Sequence, residues 1–515
     1  MTKSLFIKLS SILACSAIIA VFSSYIVPFN MDEFIHYHGI ICNEYPLNKL
    51  NEFTESCSTY DLAIVPNYFL PLRCYEYSGN LLSVLYYPLF KVWPSPSSAR
   101  FFGLTMLVVQ AFLVYRTFQI DILIAFSVLL LFMPYAFQHI VDTGPVAIHA
   151  TSIFLICYLA RQWATSINLE HKYSWRYPLL IGIIIFLAIW VKLFYIILLP
   201  AIFILLLIFF KTKKDCWSPA KFRTLLRDAA ILIATAALPT FALLNATDRA
   251  GNKYYQVLTE NNQTGHATMG GGTEHFFDLI TYFSNPLKTT HRIFEIVKND
   301  TLDGSLLIAL LLLFFIFGIW QVHKRKGGYK FAVVNVGLFA GTFLLMASSQ
   351  KTWAMHHVIL AVPFLLLALF YMLSVIPKSK IVTIFMLVFL ALNLHLYYSI
   401  NKAPISPHSH PSLVKINEYL NGHYSHNYIF VVVDWGMYYL KGLYGNKNQS
   451  VLFPEYFSQS NVVELKQVQA KTRRKLMFIG RDDSLATKAV IEKNFYTIEC
   501  KFPFDTGLWK VWRQP

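Results

Sequence analysis

Asp32 and Glu33 follow an uncharged run from Leu9 to Met31. A carboxylate placed where a chain leaves a bilayer can take the proton of a hydroxyl acceptor held at the membrane surface. It can equally be a solvated acid at the end of a span, and the pair alone does not separate the two. A second acid, Asp142, lies in His139-Ile140-Val141-Asp142-Thr143-Gly144-Pro145, between two apolar runs. Pro145 stands where a helix starts, so Asp142 reads either as a capping acid or as a partner of Asp32. Two acids at one depth could hold a divalent cation or share an acceptor. Lys192 interrupts an otherwise apolar stretch from Tyr177 to Phe210. A charge at membrane depth costs roughly 2.5–3.5 kcal/mol on insertion scales, so such a lysine faces a polar cavity or reaches water from a hairpin tip. In a cavity it could pair with a phosphate. Lys351, His356 and His357 form a late polar cluster with a ligand or phosphate role open to it, or a structural one at an interface. His36 and His38 are two positions apart and would face different ways on a helix, which weakens a joint metal site.

Some chemistries are absent. The chain has no GxxxxGK[ST] phosphate loop, no GxGxxG after a strand, no HExxH and no GxSxG. An ATP-driven pump, or an enzyme with its own nucleotide fold, is therefore disfavoured. Energy would come from a gradient or from an activated substrate.

The elements that must position these residues are mostly membrane spans. Hydrophobic residues make up 56% of the chain and charged residues 14%, too little polar surface for a soluble protein of 515 residues. The net charge of +16 sits in short loops between apolar runs, which is the positive-inside pattern and not a nucleic-acid surface. Uncharged runs of about 20 residues suit spans. They lie at Leu9–Met31, Phe101–Tyr115, Ile122–Val141, Thr143–Ala160, Tyr177–Val191, Leu193–Phe210, Ala229–Thr247, Gly304–Val322, Phe331–Gln350, Thr352–Pro377 and Ile381–Asn401. The fold class is thus an α-helical polytopic membrane protein with about eleven transmembrane helices. Lys3 and Lys8 place the N-terminus in the cytoplasm, and alternation then brings every later basic cluster to the same side. The first run reads as a retained span and not as a cleaved leader.

Residues 1–401 form the membrane domain, with outer loops at about 28–100 and 247–303. Residues 402–515 form a small extracytoplasmic α/β domain. In the first loop, Leu81–Phe90 is apolar but too short to cross, and reads as an amphipathic helix on the membrane surface. In the tail, Tyr428–Val433 and Lys475–Gly480 read as buried strands, Leu485–Asn494 as a helix, and Tyr496–Cys500 and Gly507–Trp512 as further strands. Cys42, Cys57, Cys74 and Cys500 all fall outside, so a disulfide among them and free thiols are both open. Four Asn-x-Ser/Thr tripeptides, at Asn245, Asn262, Asn299 and Asn448, are on or near the outer side.

With the acids and bases in this order, the chain resembles the GT-C superfamily of polyprenyl-phosphate-dependent glycosyltransferases. The likeness is to the branch with protein O-mannosyltransferases and lipid A aminoarabinose transferases, and it covers roughly residues 1–400. It is carried by Asp32-Glu33 after the first span, surface helices in the Tyr75–Trp93 region, and Ser98-Ala99-Arg100-Phe101-Phe102-Gly103-Leu104 opening the second span. Asp142-Thr143-Gly144-Pro145, Val191-Lys192-Leu193, and Lys351, His356, His357 with Pro363 complete it. The Lys-Pro-Pro or His-Pro-Pro usual in that family is replaced by Tyr75-Glu76-Tyr77-Ser78-Gly79-Asn80, which makes Glu76 a minor candidate beside Glu33.

The resemblance implies a sugar donor on a polyprenyl phosphate and a lipid, glycan or protein acceptor. It implies Asp32 as general base, Asp142 orienting the acceptor or helping to hold a divalent metal ion, and Lys192 neutralising the donor phosphate. Lys351, His356 and His357 would assist at the phosphate. A transporter or flippase of lipid-linked or small solutes is the alternative, yet neither an inverted repeat nor broken midplane spans are evident. A scaffold or receptor acting through the tail would tolerate change at Asp32 and Asp142. High Phe, Tyr and Lys usage points to a bacterial inner membrane.

Overall fold

The computed structural model describes residues 3–26, 37, 39–40, 61–65, 68–71, 73–75, 78–132, 135–136, 139–140, 144–169, 174–210, 219–246, 305–324, 329–348 and 359–376. It also describes separate residues between 384 and 394, and 412–515 apart from 425–426, 434, 445–449, 453–458, 483 and 507–508. In chain order the helices are α1 (Lys3–Ile26), α2 (Leu81–Val92), α3 (Pro96–Phe118), α4 (Ile122–Leu131), α5 (Pro145–Asn168), α6 (Arg176–Val191), α7 (Leu199–Phe210) and α8 (Pro219–Leu244). They continue as α9 (Ser305–Lys324), α10 (Lys330–Ser348), α11 (Val362–Val375), α12 (Ser412–Tyr424), α13 (Trp435–Tyr444), α14 (Gln459–Thr472) and α15 (Leu485–Asn494). The strands are β1 (Asp61–Val65), β2 (Tyr68–Pro71), β3 (Arg73–Tyr75), β4 (Ser78–Gly79), β5 (Tyr428–Val432), β6 (Ser450–Leu452), β7 (Lys475–Arg481), β8 (Ile498–Glu499) and β9 (Trp509–Arg513).

Among the described residues three helices are long and apolar enough to cross a membrane, over Lys3–Ser24, Pro96–Phe118 and Lys221–Leu244. Shorter apolar helices, including Ile122–Leu131, Arg176–Val191 and Val362–Val375, pack with α1 and α3 into one core. Uncharged runs do not map one-to-one onto helices. The run Leu193–Phe210 divides into a 3-10 turn over Leu193–Leu198 and then α7. The run from Ile122 ends its helix at Leu131, with Pro134 just beyond. Conversely, α8 begins at Pro219, ahead of the expected Ala229, because Arg227 and Asp228 bond to each other at 2.7 Å and Trp163 donates to the buried Asp228 at 3.0 Å.

Local chemistry sets the helix ends. Ser95 caps α3 by accepting from Ser97 N, with Pro96 in the first turn. Gln119 ends that helix in the left-handed region at φ 60°. Asp121 then caps α4 through Leu123 N at 2.9 Å. The same Asp121 pairs with Lys8 of α1, and that hydrogen bond holds its carboxyl below the ordinary carboxylate range. At the other end, Ser97 of α3 meets Ser24 of α1 at 3.0 Å. The two helices therefore run antiparallel. Contacts of Arg116 with Tyr158, and of Phe331 with Phe118 and Tyr371, bring the basic ends of α3, α5 and α10 to the Lys8 end.

At the opposite end, the first loop packs down on the bundle. Helix α2 buries Leu81, Leu82, Tyr86 and Phe90 and leaves Val84, Leu85 and Val92 exposed, an apolar surface outside the core. Strand β4 lies against the end of α6. A Cβ built on Gly79 would stand 2.0 Å from the Trp190 carbonyl oxygen, so only glycine allows this approach.

The C-terminal residues form a five-stranded sheet in the order β6-β5-β7-β9-β8. β6, β5 and β7 are parallel, and β9 is antiparallel to both β7 and β8. The period of two divides its side chains cleanly. Ile429 and Val431 of β5, Val433 just beyond it, and Leu476 and Phe478 of β7 face α14 and α15 in one apolar layer. Phe430, Val432, Met477, Ile479 and Trp509 face the other way, joining α12 and α13 in a layer that continues into Tyr37, Leu82, Tyr86, Phe102 and Val191. Tyr86 Oη lies 2.9 Å from Tyr444 Oη on α13 and 2.5 Å from Ser98 Oγ on α3. Sheet, first loop and bundle thus share a core. Cys500 is a half-buried free thiol, raised above its ordinary pKa by burial.

Lys441 is buried in this layer, donating to Asn421 Oδ1 at 2.6 Å and lying 3.9 Å from the Phe430 ring centre. Burial pushes it down to about 7 from 10.5. Between those values the unfolded chain binds a proton that the folded chain does not, so stability rises with pH across that window and the benefit is lost as pH falls to 7. Thermal unfolding of Lys441→Met should show a flatter pH dependence between about pH 7 and 10 than wild type. Gly79→Ala should destabilise by about 1–3 kcal/mol through overpacking on Trp190. Gly422→Ala in α12, where nothing lies within 4 Å of the added carbon, should instead stabilise by about 0.4–1 kcal/mol. Melting midpoints of the two variants in detergent should move in opposite directions.

Candidate functional site

The end of the bundle beneath α2 and β4 gathers the polar groups of interest. Arg100, one turn into α3, is fully buried and donates through Nη1 to the carbonyl of Ser23 near the end of α1. Ser23 and Ser24 hydroxyls both turn back to the carbonyl of Ala20, at 3.0 and 2.8 Å. The exit of α1, from which the chain runs on to Asp32 and Glu33, is therefore held by α3.

Lys192 lies on the same face of the molecule, next to Val191, whose side chain belongs to the layer shared with Ala99 and Phe102. Its backbone is extended, at φ −155° and ψ 121°, and it separates α6 from the 3-10 turn. The residue is 4% exposed, so it is not a hairpin-tip lysine reaching into water. Helix α5 lies alongside. His149 Nε2 contacts the Ala188 carbonyl at 2.9 Å, the same oxygen that accepts from Lys192 N at 3.2 Å. Ser152 Oγ lies 2.6 Å from Tyr195 Oη, and the His149 and Tyr195 rings are 4.7 Å apart.

A second buried group borders the first through α5. Gln110 Nε2 donates to Thr151 Oγ1 at 2.9 Å and contacts His139 Nε2 at 3.0 Å. Tyr135 Oη donates to Gln110 Oε1 at 2.7 Å. His139 belongs to the segment that carries Asp142. Helix α5 starts just beyond, with Pro145 in its first turn.

Of the residues singled out in the sequence, the structure describes Lys192 and Arg100. Asp32, Glu33, Glu76, Asp142, Lys351, His356 and His357 lie outside the described residues, as do His36 and His38. Among the described residues no three His, Cys, Asp or Glu side chains cluster as a metal site would need. His149, Ser152, Tyr195, Gln110 and Tyr135 were not anticipated. A histidine inside an apolar helix was the available signal, since ionisable groups at membrane depth face a polar interior.

No family model and no curated protein matches the chain. Solved structures that it resembles include the archaeal oligosaccharyltransferase AglB from Archaeoglobus fulgidus, in complex with an inhibitory peptide and a dolichol-phosphate. That match has 12% identity and a TM-score of 0.38, and covers 99% of this chain and 74% of that one. The same A. fulgidus oligosaccharyltransferase in complex with Zn and sulfate matches at 11% identity and a TM-score of 0.39, over 97% and 72% of the two chains. ArnT from Cupriavidus metallidurans in the apo state matches at 13% identity and a TM-score of 0.40, over 98% and 97%.

Arg100→Ala strips the Ser23 carbonyl of a buried donor and should cost about 1–3 kcal/mol. Arg100→Lys should not restore the loss, because an ammonium cannot reproduce the planar fork of a guanidinium. Melting midpoints of both variants below wild type would be the expected result.

Proposed function

We propose that this chain is a membrane glycosyltransferase that moves a sugar from a polyprenyl-phosphate donor to a lipid, glycan or protein acceptor on the extracytoplasmic face. The observation that carries the reading is Lys192, a buried lysine where an apolar helix breaks, at the end of the bundle from which α1 leads to Asp32. A lysine so placed suits an anion at the membrane rim better than it suits solvent. The order of Asp32-Glu33, Arg100, Asp142, Lys192, Lys351 and His356-His357 along the sequence supports the same reading.

In this mechanism the acceptor hydroxyl attacks the anomeric carbon while the bond from that carbon to the donor phosphate oxygen breaks. The hydroxyl proton passes to the Asp32 carboxylate, and the configuration of the sugar inverts. Lys192 neutralises the charge that grows on the departing phosphate, with Lys351, His356 and His357 assisting. Asp142 orients the acceptor, and together with Asp32 it suits a divalent cation. Glu33 and Glu76 have minor parts. The membrane domain over 1–401 does this work in a bacterial inner membrane with a cytoplasmic N-terminus, and the domain over 402–515 sits on the outer side.

The test uses membranes containing the full-length chain and polyprenyl-phosphate sugars. Asp32→Ala should reduce transfer by about 10²–10⁴-fold, the range for loss of a general base. Lys192→Ala should raise the KM for the donor. Transfer at the wild-type rate by Asp32→Ala would remove the mechanism, and solute uptake into vesicles without any transfer would establish a transporter instead.

A further inference from the structure

The backbone around Lys192 is gripped from both sides by one helix. Upstream, His149 of α5 reaches the Ala188 carbonyl at 2.9 Å, on the last turn of α6. Downstream, Ser152 of α5 reaches Tyr195 Oη at 2.6 Å, and Tyr195 N in turn donates to the Lys192 carbonyl at 3.0 Å. Ser152 also donates to the His149 carbonyl at 2.6 Å, so both grips belong to a single turn of α5.

The protonation pattern follows from the partners. A carbonyl oxygen only accepts, so His149 Nε2 carries the proton. Nδ1 is then a lone-pair acceptor. It is buried, with no hydrogen-bond partner among the described residues. A neutral ring is enough for the single bond it makes, and a neutral ring adds no second cation next to Lys192. The Ala188 oxygen receives this donor together with Lys192 N, while Lys192 itself turns to the extended conformation instead of continuing the helix.

We propose that His149 is a positioning residue: with Ser152 and Tyr195 it holds the chain broken at Lys192 and so directs the Lys192 ammonium to the phosphate of a lipid-linked ligand. This rests on the phosphate role of Lys192 given above. The neutral imidazole supplies the geometry, and the lysine supplies the charge.

Binding of a sugar-free polyprenyl phosphate to the full-length protein in nanodiscs separates the two ideas, with melting midpoints recorded alongside. Lys192→Ala should lose most of the binding. His149→Leu should raise Kd by about tenfold, the scale of one lost hydrogen bond in a buried site. His149→Gln, which keeps a donor toward Ala188, should recover most of that loss, a rescue that a purely space-filling role would not give. Wild-type Kd in His149→Leu with weakened binding in Lys192→Ala overturns the positioning role and leaves the phosphate reading standing. Wild-type Kd in Lys192→Ala overturns both. If His149→Leu does not fold, Tyr195→Phe decides: a several-fold rise in Kd supports the grip, and an unchanged Kd overturns it.

Discussion

Placing a lysine inside an apolar bundle is the constraint around which the rest of this structure is arranged. Removing an ammonium from water is unfavourable by several kcal/mol unless polar groups surround it. The chain breaks its helix at this lysine. An unbroken α6 would bury Lys192 among Ile, Leu and Phe side chains with its own carbonyls occupied. Helix α5 brings a histidine to the Ala188 carbonyl before the break and a serine to the Tyr195 hydroxyl after it. Helix α5 is in turn fixed by Gln110 of α3, whose amide joins Thr151 and His139. The position of one lysine is thus tied, through side-chain hydrogen bonds, to the helix that also anchors α1.

A second consequence is the layer of apolar side chains joining the bundle to the C-terminal sheet. Val191, next to Lys192, packs in the same cluster as Tyr86 of α2 and Met437 of α13. Tyr86 lies at the crossing point, with Ser98 of α3 on one side and Tyr444 of α13 on the other. Two hydroxyl contacts in a desolvated setting fix orientation better than apolar contact, which is non-directional. The sheet therefore covers the end of the membrane bundle in a defined orientation, next to the helix break, and the Gly79–Trp190 contact closes the remaining side.

How much of this could be read from the sequence depended on whether the signal was local. The strands Tyr428–Val432 and Lys475–Arg481 and the helix Leu485–Asn494 were legible because short runs with clear boundaries need no tertiary information. Helix α2 was legible for the same reason. Boundaries drawn from charge were less faithful. Asp228 stands just before an uncharged run in the sequence, yet it sits inside α8, bonded to Arg227 and Trp163. The break after Val191 appeared in the sequence only as a charge in an apolar run, since nothing local distinguishes a hairpin tip from a buried 3-10 turn. His149 and Tyr195 escaped notice because their roles depend on a neighbouring helix, and pairings between helices leave no trace in a single sequence.

The described charges at the two ends of the bundle have different neighbours. At the Lys8 end, cations meet carboxylates within the chain: Lys8 with Asp121, and Arg227 with Asp228. Ion pairs of that kind fix register and satisfy both partners, and they leave nothing for a ligand. At the other end, Arg100 donates to the Ser23 carbonyl, and the backbone at Lys192 is tied to Ala188 and Tyr195. The proposed phosphate role of Lys192 asks for a cation held at this end of the bundle, and the extended backbone between α6 and the 3-10 turn fixes where its side chain begins.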